Sequence, residues 1–166
     1  MSVNVTYQSN LTVAEVLESG VSGVATSAKK TVTHDKYNTG PTTLSAATTP
    51  AATKVAEFEA ALTAGAASID LAALVGTNGA AVNGTGLKVQ AFKFRAKSTN
   101  TGPITIAKGG TNGYGLLGAA FSVALAPGAE IQSLTAAGSP AVGSSAKTLD
   151  LSGTGTDVLE VAIILG

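Results

Sequence analysis

The chain of 166 residues is long enough for one domain with a sizeable hydrophobic core and an additional segment. Ten basic and ten acidic residues cancel, so no net charge draws the protein toward nucleic acid or an anionic membrane, and the lack of cysteine excludes disulfides and thiolate metal sites. Only 12% of the residues are charged, about half of the usual ~25%, which favours a surface largely covered by other subunits over a neutral exposed one.

The beginning of the chain is predicted to form an extended N-terminal arm. Val3, Val5 and Tyr7 alternate with polar residues, as in a short strand. Residues 12–15 fit a capping box and predict a short helix, although the β-branched valines that follow keep a strand as the alternative. No segment has the pattern of a secretory signal, and the longest aliphatic run, residues 161–165, is too short to span a bilayer.

The arm is predicted to end in a linker. Residues 31–38 are compatible with a strand, and residues 42–53 are nearly all Thr, Ala, Ser and Pro. A segment of that composition buries too little apolar area to order itself. We therefore place the boundary at residue 53, with residues 1–53 as arm and linker and residues 54–166 as a β-sandwich domain, and we expect the two parts to be separable.

The predicted domain consists of short strands separated by turn signals. Residues 55–62 and the segment around residue 70 are expected to form a strand pair joined near Ala64-Gly65. Phe121, Val123 and Leu125 alternate with small residues, and residues 131–135 are expected to pair back onto that strand. The pattern is typical of a mostly β fold, an antiparallel β-sandwich or jelly-roll-like domain.

The longest predicted strand, residues 86–97, changes its apolar face partway. Leu87, Val89 and Ala91 share one parity, whereas Phe92 and Phe94 share the other. One extra residue between Ala91 and Phe92, a β-bulge, would return both sets to one core. The expected core residues are Phe58, Leu87, Val89, Phe92, Phe94, Phe121, Val123, Leu159, Val161 and Ile163.

The opposite face of the same strand carries Lys93, Arg95 and Lys97. Proteins that bind single-stranded nucleic acid combine such cations with aromatic residues on one face. Here the aromatics have the other parity, so we expect a solvated charged face, with contact to an acidic protein surface as the alternative.

Candidate sites for chemistry are weak. Residues 113–118 match G-x-G-x-x-G, but a strand pattern rather than a helix follows, so no helix N-terminus could hold a pyrophosphate. His34 is the only histidine, too few for an ordinary zinc site or, in its polar context, a convincing triad. Glu57 and Glu59 are spaced like paired carboxylates but are expected to lie on a solvated strand face. The sequence predicts no catalytic residue, no cofactor and no metal.

The last hundred residues alternate short apolar strand sequences with turns rich in Gly, Thr and Asn. These are Ile-Asp-Leu at 69–71, Gly-Thr-Asn-Gly at 76–79, Asn-Gly-Thr-Gly-Leu-Lys-Val at 83–89, Thr-Asn-Gly-Tyr at 111–114 and the closing strand that ends at Leu165-Gly166. In this respect the chain resembles small β-rich virion proteins of tailed phages, among them capsid decoration (cement) proteins. The resemblance implies a non-enzymatic β-sandwich that forms trimers or dimers on the capsid surface after assembly in the host cytoplasm, with an N-terminal arm that grips the major capsid protein.

The remaining hypotheses concern partners. A phage tail or fibre component, or a β-sandwich that binds a carbohydrate or receptor through an exposed Tyr114 loop, is the alternative function. Ala162 and Ile164 are apolar on the second face of the last strand, so we expect this face to lie in a homo-oligomer interface, in a trimer before a dimer. The expected interface residues are Val3, Val5, Tyr7, Tyr114, Ala162 and Ile164.

Overall fold

The computed structural model describes residues 3–17, 30–135 and 139–166, with the backbone alone at residues 17 and 30. Over these ranges the protein is all-β, without helices. Its strands are β1 (Asn4–Tyr7), β2 (Val13–Leu17), β3 (Lys30–His34), β4 (Thr42–Ser45), β5 (Lys54–Ala61), β6 (Ala66–Asp70), β7 (Leu74–Val75), β8 (Ala81–Val82), β9 (Val89–Ala96), β10 (Ile104–Lys108), β11 (Ser122–Leu125), β12 (Glu130–Leu134), β13 (Thr148–Ser152) and β14 (Val158–Leu165).

Two four-stranded antiparallel sheets form the main body. Sheet I has the order β12-β9-β14-β5, and sheet II has the order β11-β10-β13-β6. Phe92 and Phe94 of sheet I share one buried cluster with Ile104 and Ile106 of sheet II. Burial of the inner faces of both sheets in one core confirms the mostly β, sandwich-like fold, whereas jelly-roll connectivity stays a prediction.

The predicted core residues all belong to this cluster. Val89, Phe92, Phe94, Leu159, Val161 and Ile163 are buried, and Phe58, Leu87, Phe121 and Val123 pack against them while half-buried. The rings of Phe92 and Phe94 stack with their centroids 4.9 Å apart. Alternation of apolar and polar residues therefore located the inner face of the sandwich.

Two predicted strand pairings are wrong, because the chain crosses between the sheets. The chain does turn at Ala64-Gly65, as expected, and both residues have positive φ, but the turn connects β5 of sheet I to β6 of sheet II. A side chain at Gly65 would also lie 2.7 Å from the carbonyl oxygen of Gly153, so the turn requires glycine. Likewise β12 pairs with β9 of sheet I and not with β11.

The long strand β9 contains the predicted bulge, at a different residue. Ala91 pairs with Ile164 and Val89 pairs with Leu165, so Gln90 is the extra residue. The bulge places Val89 on the same face as Phe92, as predicted. Ala91, however, lies on the opposite face in a second apolar cluster. The prediction that all the apolar residues of this strand meet in one core is therefore wrong for Ala91.

The N-terminal third differs most from the prediction. The chain divides into two compact units, one formed by Met1–Val5 and Leu44–Gly166 and the other by Thr6–Thr43. The segment predicted as a linker contains β4 and two fully buried apolar side chains, Leu44 and Ala52. The capping-box segment is a strand, β2, paired antiparallel with β3. The β-branched valines thus favoured the alternative that the sequence had left open.

Candidate interaction surfaces

The outer face of sheet I is arranged in three rows of cross-strand neighbours. The first row is Glu130, Arg95, Glu160 and Glu59, the second is Gln132, Lys93, Ala162 and Glu57, and the third is Leu134, Ala91, Ile164 and Val55. The rows lie two residues apart along each strand, so the surface changes from charged through mixed to fully apolar over four residues. We call the first two rows the charged face and the third the apolar row.

Opposite charges on the charged face pair across the strands. Lys93 Nζ lies 2.9 Å from Glu130 Oε2, and Lys97 Nζ lies 2.6 Å from Glu59 Oε1. Arg95 donates a hydrogen bond to Glu160, which lowers the pKa of Glu160 and raises that of Arg95. These pairs are exposed and add little to stability, but they balance the local charge.

The charged face also forms a shallow groove. Its volume is about 490 Å³, and Glu57, Glu59, Lys93, Arg95 and Glu160 contribute to its walls. Lys93 and Arg95 are exposed and line this groove, and Lys97 contacts Glu59 of β5, so the three cations predicted in a row do point away from the core. With their carboxylate partners in place, they present a mixed surface and not a cationic one.

The apolar row is covered by residues of the same chain. Val3, Leu44 and Ala52 are buried against Ala91 and Ile164, and Val5, Val55 and Leu134 border the cluster. The backbone N–H of Thr53 also donates to the carbonyl of Leu165 at 2.8 Å. We call residues 3–5 and 44–53 the cover. The apolar character of Ile164 therefore needs no second subunit to explain it.

The structure brings only some of the predicted interface residues together. Val3 and Ile164 share the covered cluster, Val5 borders it, and Ala162 is half-buried in the neighbouring row. Tyr7 is half-buried in β1. The expectation that Tyr114 is exposed is wrong, since its side chain has no solvent-accessible surface.

Tyr114 has a structural position inside the sandwich. Its hydroxyl donates to the carbonyl of Pro140 at 2.7 Å and accepts from the backbone N–H of Val89 at 3.2 Å. Burial raises the pKa of Tyr114. The glycine-rich sequence around it allows the loop backbone to approach β13 closely, and Tyr114 N–H donates to the carbonyl of Thr148 there.

Asp157 is a second buried polar residue that organises loops. Its carboxylate accepts hydrogen bonds from the backbone N–H groups of Thr101 at 2.8 Å and Gly102 at 3.0 Å, and from the Thr101 hydroxyl. The Thr101 N–H is the main cause of the lowered pKa of Asp157. The carboxylate is thus occupied in joining two turns at one end of the sandwich.

The unit Thr6–Thr43 exposes large apolar side chains. Within the described ranges, six large hydrophobic residues are exposed, and four of them lie here: Leu11, Val13, Val16 and Tyr37. The backbone of Leu11 is held by Asn38, whose side-chain oxygen accepts from its N–H at 2.7 Å. This surface was missed because the sequence favoured a helix at residues 12–15, with a strand only as the alternative. The strand predicted over residues 31–38 was the signal for a pairing with β2.

Comparison with known proteins gives no assignment. The chain matches no protein-family model, no curated protein and no solved structure at a significant level. Over the part of the chain that the structure describes, no group of three or more His, Asp or Glu side chains is placed to hold a metal ion. None of the described residues forms a helix long and apolar enough to cross a membrane. The exposed apolar surface of Thr6–Thr43 remains the strongest functional signal.

Proposed function

We propose that this protein is a non-catalytic structural component of a phage virion, a capsid decoration protein that is anchored through the unit Thr6–Thr43. The single observation that carries the proposal is the concentration of exposed apolar side chains in this unit. The phage assignment itself comes from the resemblance of residues 69–166 to small virion proteins.

The physical argument concerns the stability of a two-stranded sheet. An isolated hairpin is marginally stable in water, because it has no third strand or helix on which to bury its apolar residues. Among the residues that the structure describes, β2 and β3 form such a two-stranded sheet, and Val13 and Val16 retain about half of their accessible surface. A binding partner that covers these side chains supplies the missing apolar contact.

The partner in this proposal is the major capsid protein, and the protein is located on the virion surface after assembly in the host cytoplasm. The sandwich then lies outside the shell and presents its charged face to solvent. A homo-oligomer, a trimer before a dimer, is part of the same proposal, since many weak arms acting together bind a shell far more tightly than one. The alternative of a carbohydrate- or receptor-binding module depended on an exposed Tyr114 and loses that support.

The test is co-sedimentation of the purified protein with phage shells that were assembled without it. Leu11→Asp introduces a charge at a side chain that is 78% exposed, so the protein should remain folded but bind the shells less tightly. Leu117→Asp is the matched control, because Leu117 is also an exposed leucine but belongs to the sandwich. A wild-type protein that stays in the supernatant, or a Leu11→Asp variant that pellets like wild type, would refute the proposal.

A further inference from the structure

The hairpin of β2 and β3 exposes apolar side chains on both of its faces. Successive strand residues point to opposite faces, so Val13 and Val16, three positions apart, lie on different sides of the sheet. The register agrees, since Val13 pairs with His34 and Val16 pairs with Thr31. Both valines are about half exposed. A partner that covers only one face would leave the other valine in water.

Over residues 3–17, 30–135 and 139–166, neither outer edge of the hairpin is paired. In the described part of the chain, β2 and β3 form a sheet with each other and with no further strand. Natural proteins protect such edges with proline, bulges or inward-pointing charges. The edge strand Val13–Leu17 has no proline, and its only charged residue, Glu15, contacts His34 on the neighbouring strand at 3.2 Å.

We infer that the partner binds by adding a strand to the outer edge of β2. An added strand provides hydrogen bonds to the free backbone groups and places its own alternating side chains beside Val13 on one face and Val16 on the other. A docked helix or a flat protein surface would contact one face only. The occupant is therefore an extended, β-branched or apolar segment of the shell protein. This inference rests on the function proposed above.

The partner strand is expected to bind at the edge of β2 and not at the edge of β3, because β2 offers more apolar side chains. The two exposed valines lie on β2, whereas β3 is Lys30-Thr31-Val32-Thr33-His34 and offers one apolar residue. Leu11, two residues before the start of β2, is also exposed and adds an apolar side chain near this edge. Each side chain that flanks the added strand contributes a cross-strand contact.

Two measurements test the inference. Both use the full chain bound to phage shells that were assembled without this protein. In hydrogen exchange, strand addition should slow the outward-pointing amides of β2 by about tenfold or more, so that no alternate amide of this strand continues to exchange rapidly. In binding, Val13→Thr and Val16→Thr keep the β-branched shape but replace one methyl group by a hydroxyl, and each should weaken binding about fivefold. Val75→Thr, at an equally exposed valine of the sandwich unit, should bind as wild type.

The outcomes separate this inference from the proposed function. Co-sedimentation without protection of the outward amides, or with loss in only one of the two valine variants, overturns strand addition but leaves the decoration role. Failure to co-sediment overturns both. Protection of β2 in the protein alone at micromolar concentration would assign the edge to a second copy of the chain, and strand addition by the shell would be wrong.

Discussion

Removal of residues 6–43 should leave the stability of the sandwich unchanged only if the cover, residues 3–5 and 44–53, is retained. Replacing residues 6–43 by an eight-residue Gly/Ser linker retains Val3, Leu44 and Ala52 over the apolar row. Such a linker has an r.m.s. span of about 16 Å, and closure of a loop of this length costs little. The free energy of unfolding of the sandwich should therefore change by less than ~1 kcal/mol.

Deletion of residues 1–53 should instead destabilise the sandwich severely. It removes Val3 and Leu44, which are 8% and 2% exposed, and leaves Ile164 uncovered. Full burial of one such aliphatic side chain stabilises the fold by roughly 1.5–3 kcal/mol. The loss of burial at Val3, Leu44 and Ile164 should therefore lower the free energy of unfolding by roughly 5–9 kcal/mol. A domain of this size has a total stability of about 5–15 kcal/mol, so the deletion variant should be at the margin of folding.

Urea denaturation followed by far-ultraviolet circular dichroism measures both variants on the same scale. The sequence alone predicted that residues 1–53 are separable, and the structure restricts that expectation to residues 6–43. A deletion of residues 1–53 that is as stable as the linker variant would refute the reasoning, because the covered cluster would then contribute nothing.

Three further predictions concern the interior of the sandwich. Phe94→Ala, at a fully buried ring, should lower the free energy of unfolding by about 3–5 kcal/mol in urea denaturation, and a loss below about 1 kcal/mol would contradict its position in the core. Tyr114→Phe should cost about 1–3 kcal/mol in the same assay, since the carbonyl of Pro140 and the N–H of Val89 lose their partner; a neutral result would mean that they find another. Asp157→Asn should lower the melting temperature at neutral pH: the lowered pKa of Asp157 contributes stability that is complete above its ordinary value of 3.8 and is lost as the pH falls through the folded-state value. Calorimetry at neutral pH and about pH 3 should find the difference between variant and wild type smaller in acid, and a constant difference would contradict this assignment.

Local alternation was sufficient to predict which side chains fill the sandwich, because burial on one face of a strand leaves a period of two in the sequence. It was sufficient also to predict a bulge in β9 and the outward direction of Lys93, Arg95 and Lys97. The bulge was misplaced because Ala91 is apolar on either interpretation, and only the pairing of Ala91 with Ile164 shows which face it occupies.

The remaining errors have one physical origin, which is that strand partners are not encoded locally. Nothing within residues 131–135 distinguishes β11 from β9 as a partner. The composition of residues 42–53 indicates a linker, yet Leu44 and Ala52 are buried because a distant apolar row is available to them. The candidate surface on β2 was hidden for the related reason that its valines fit a helical face as well as a strand.

The cover has a consequence for the order in which the protein can fold during synthesis. Val3 and Leu44 are synthesised long before Ile164 of β14, one of the residues that they pack against. The centre of sheet I must also wait, since β5 and β9 both pair with β14. Val3 and Leu44 therefore cannot reach their final positions until β14 has been synthesised. Because every pairing in sheet I joins distant parts of the sequence, folding should be slow, in the range of milliseconds to seconds that is typical of β-sandwiches.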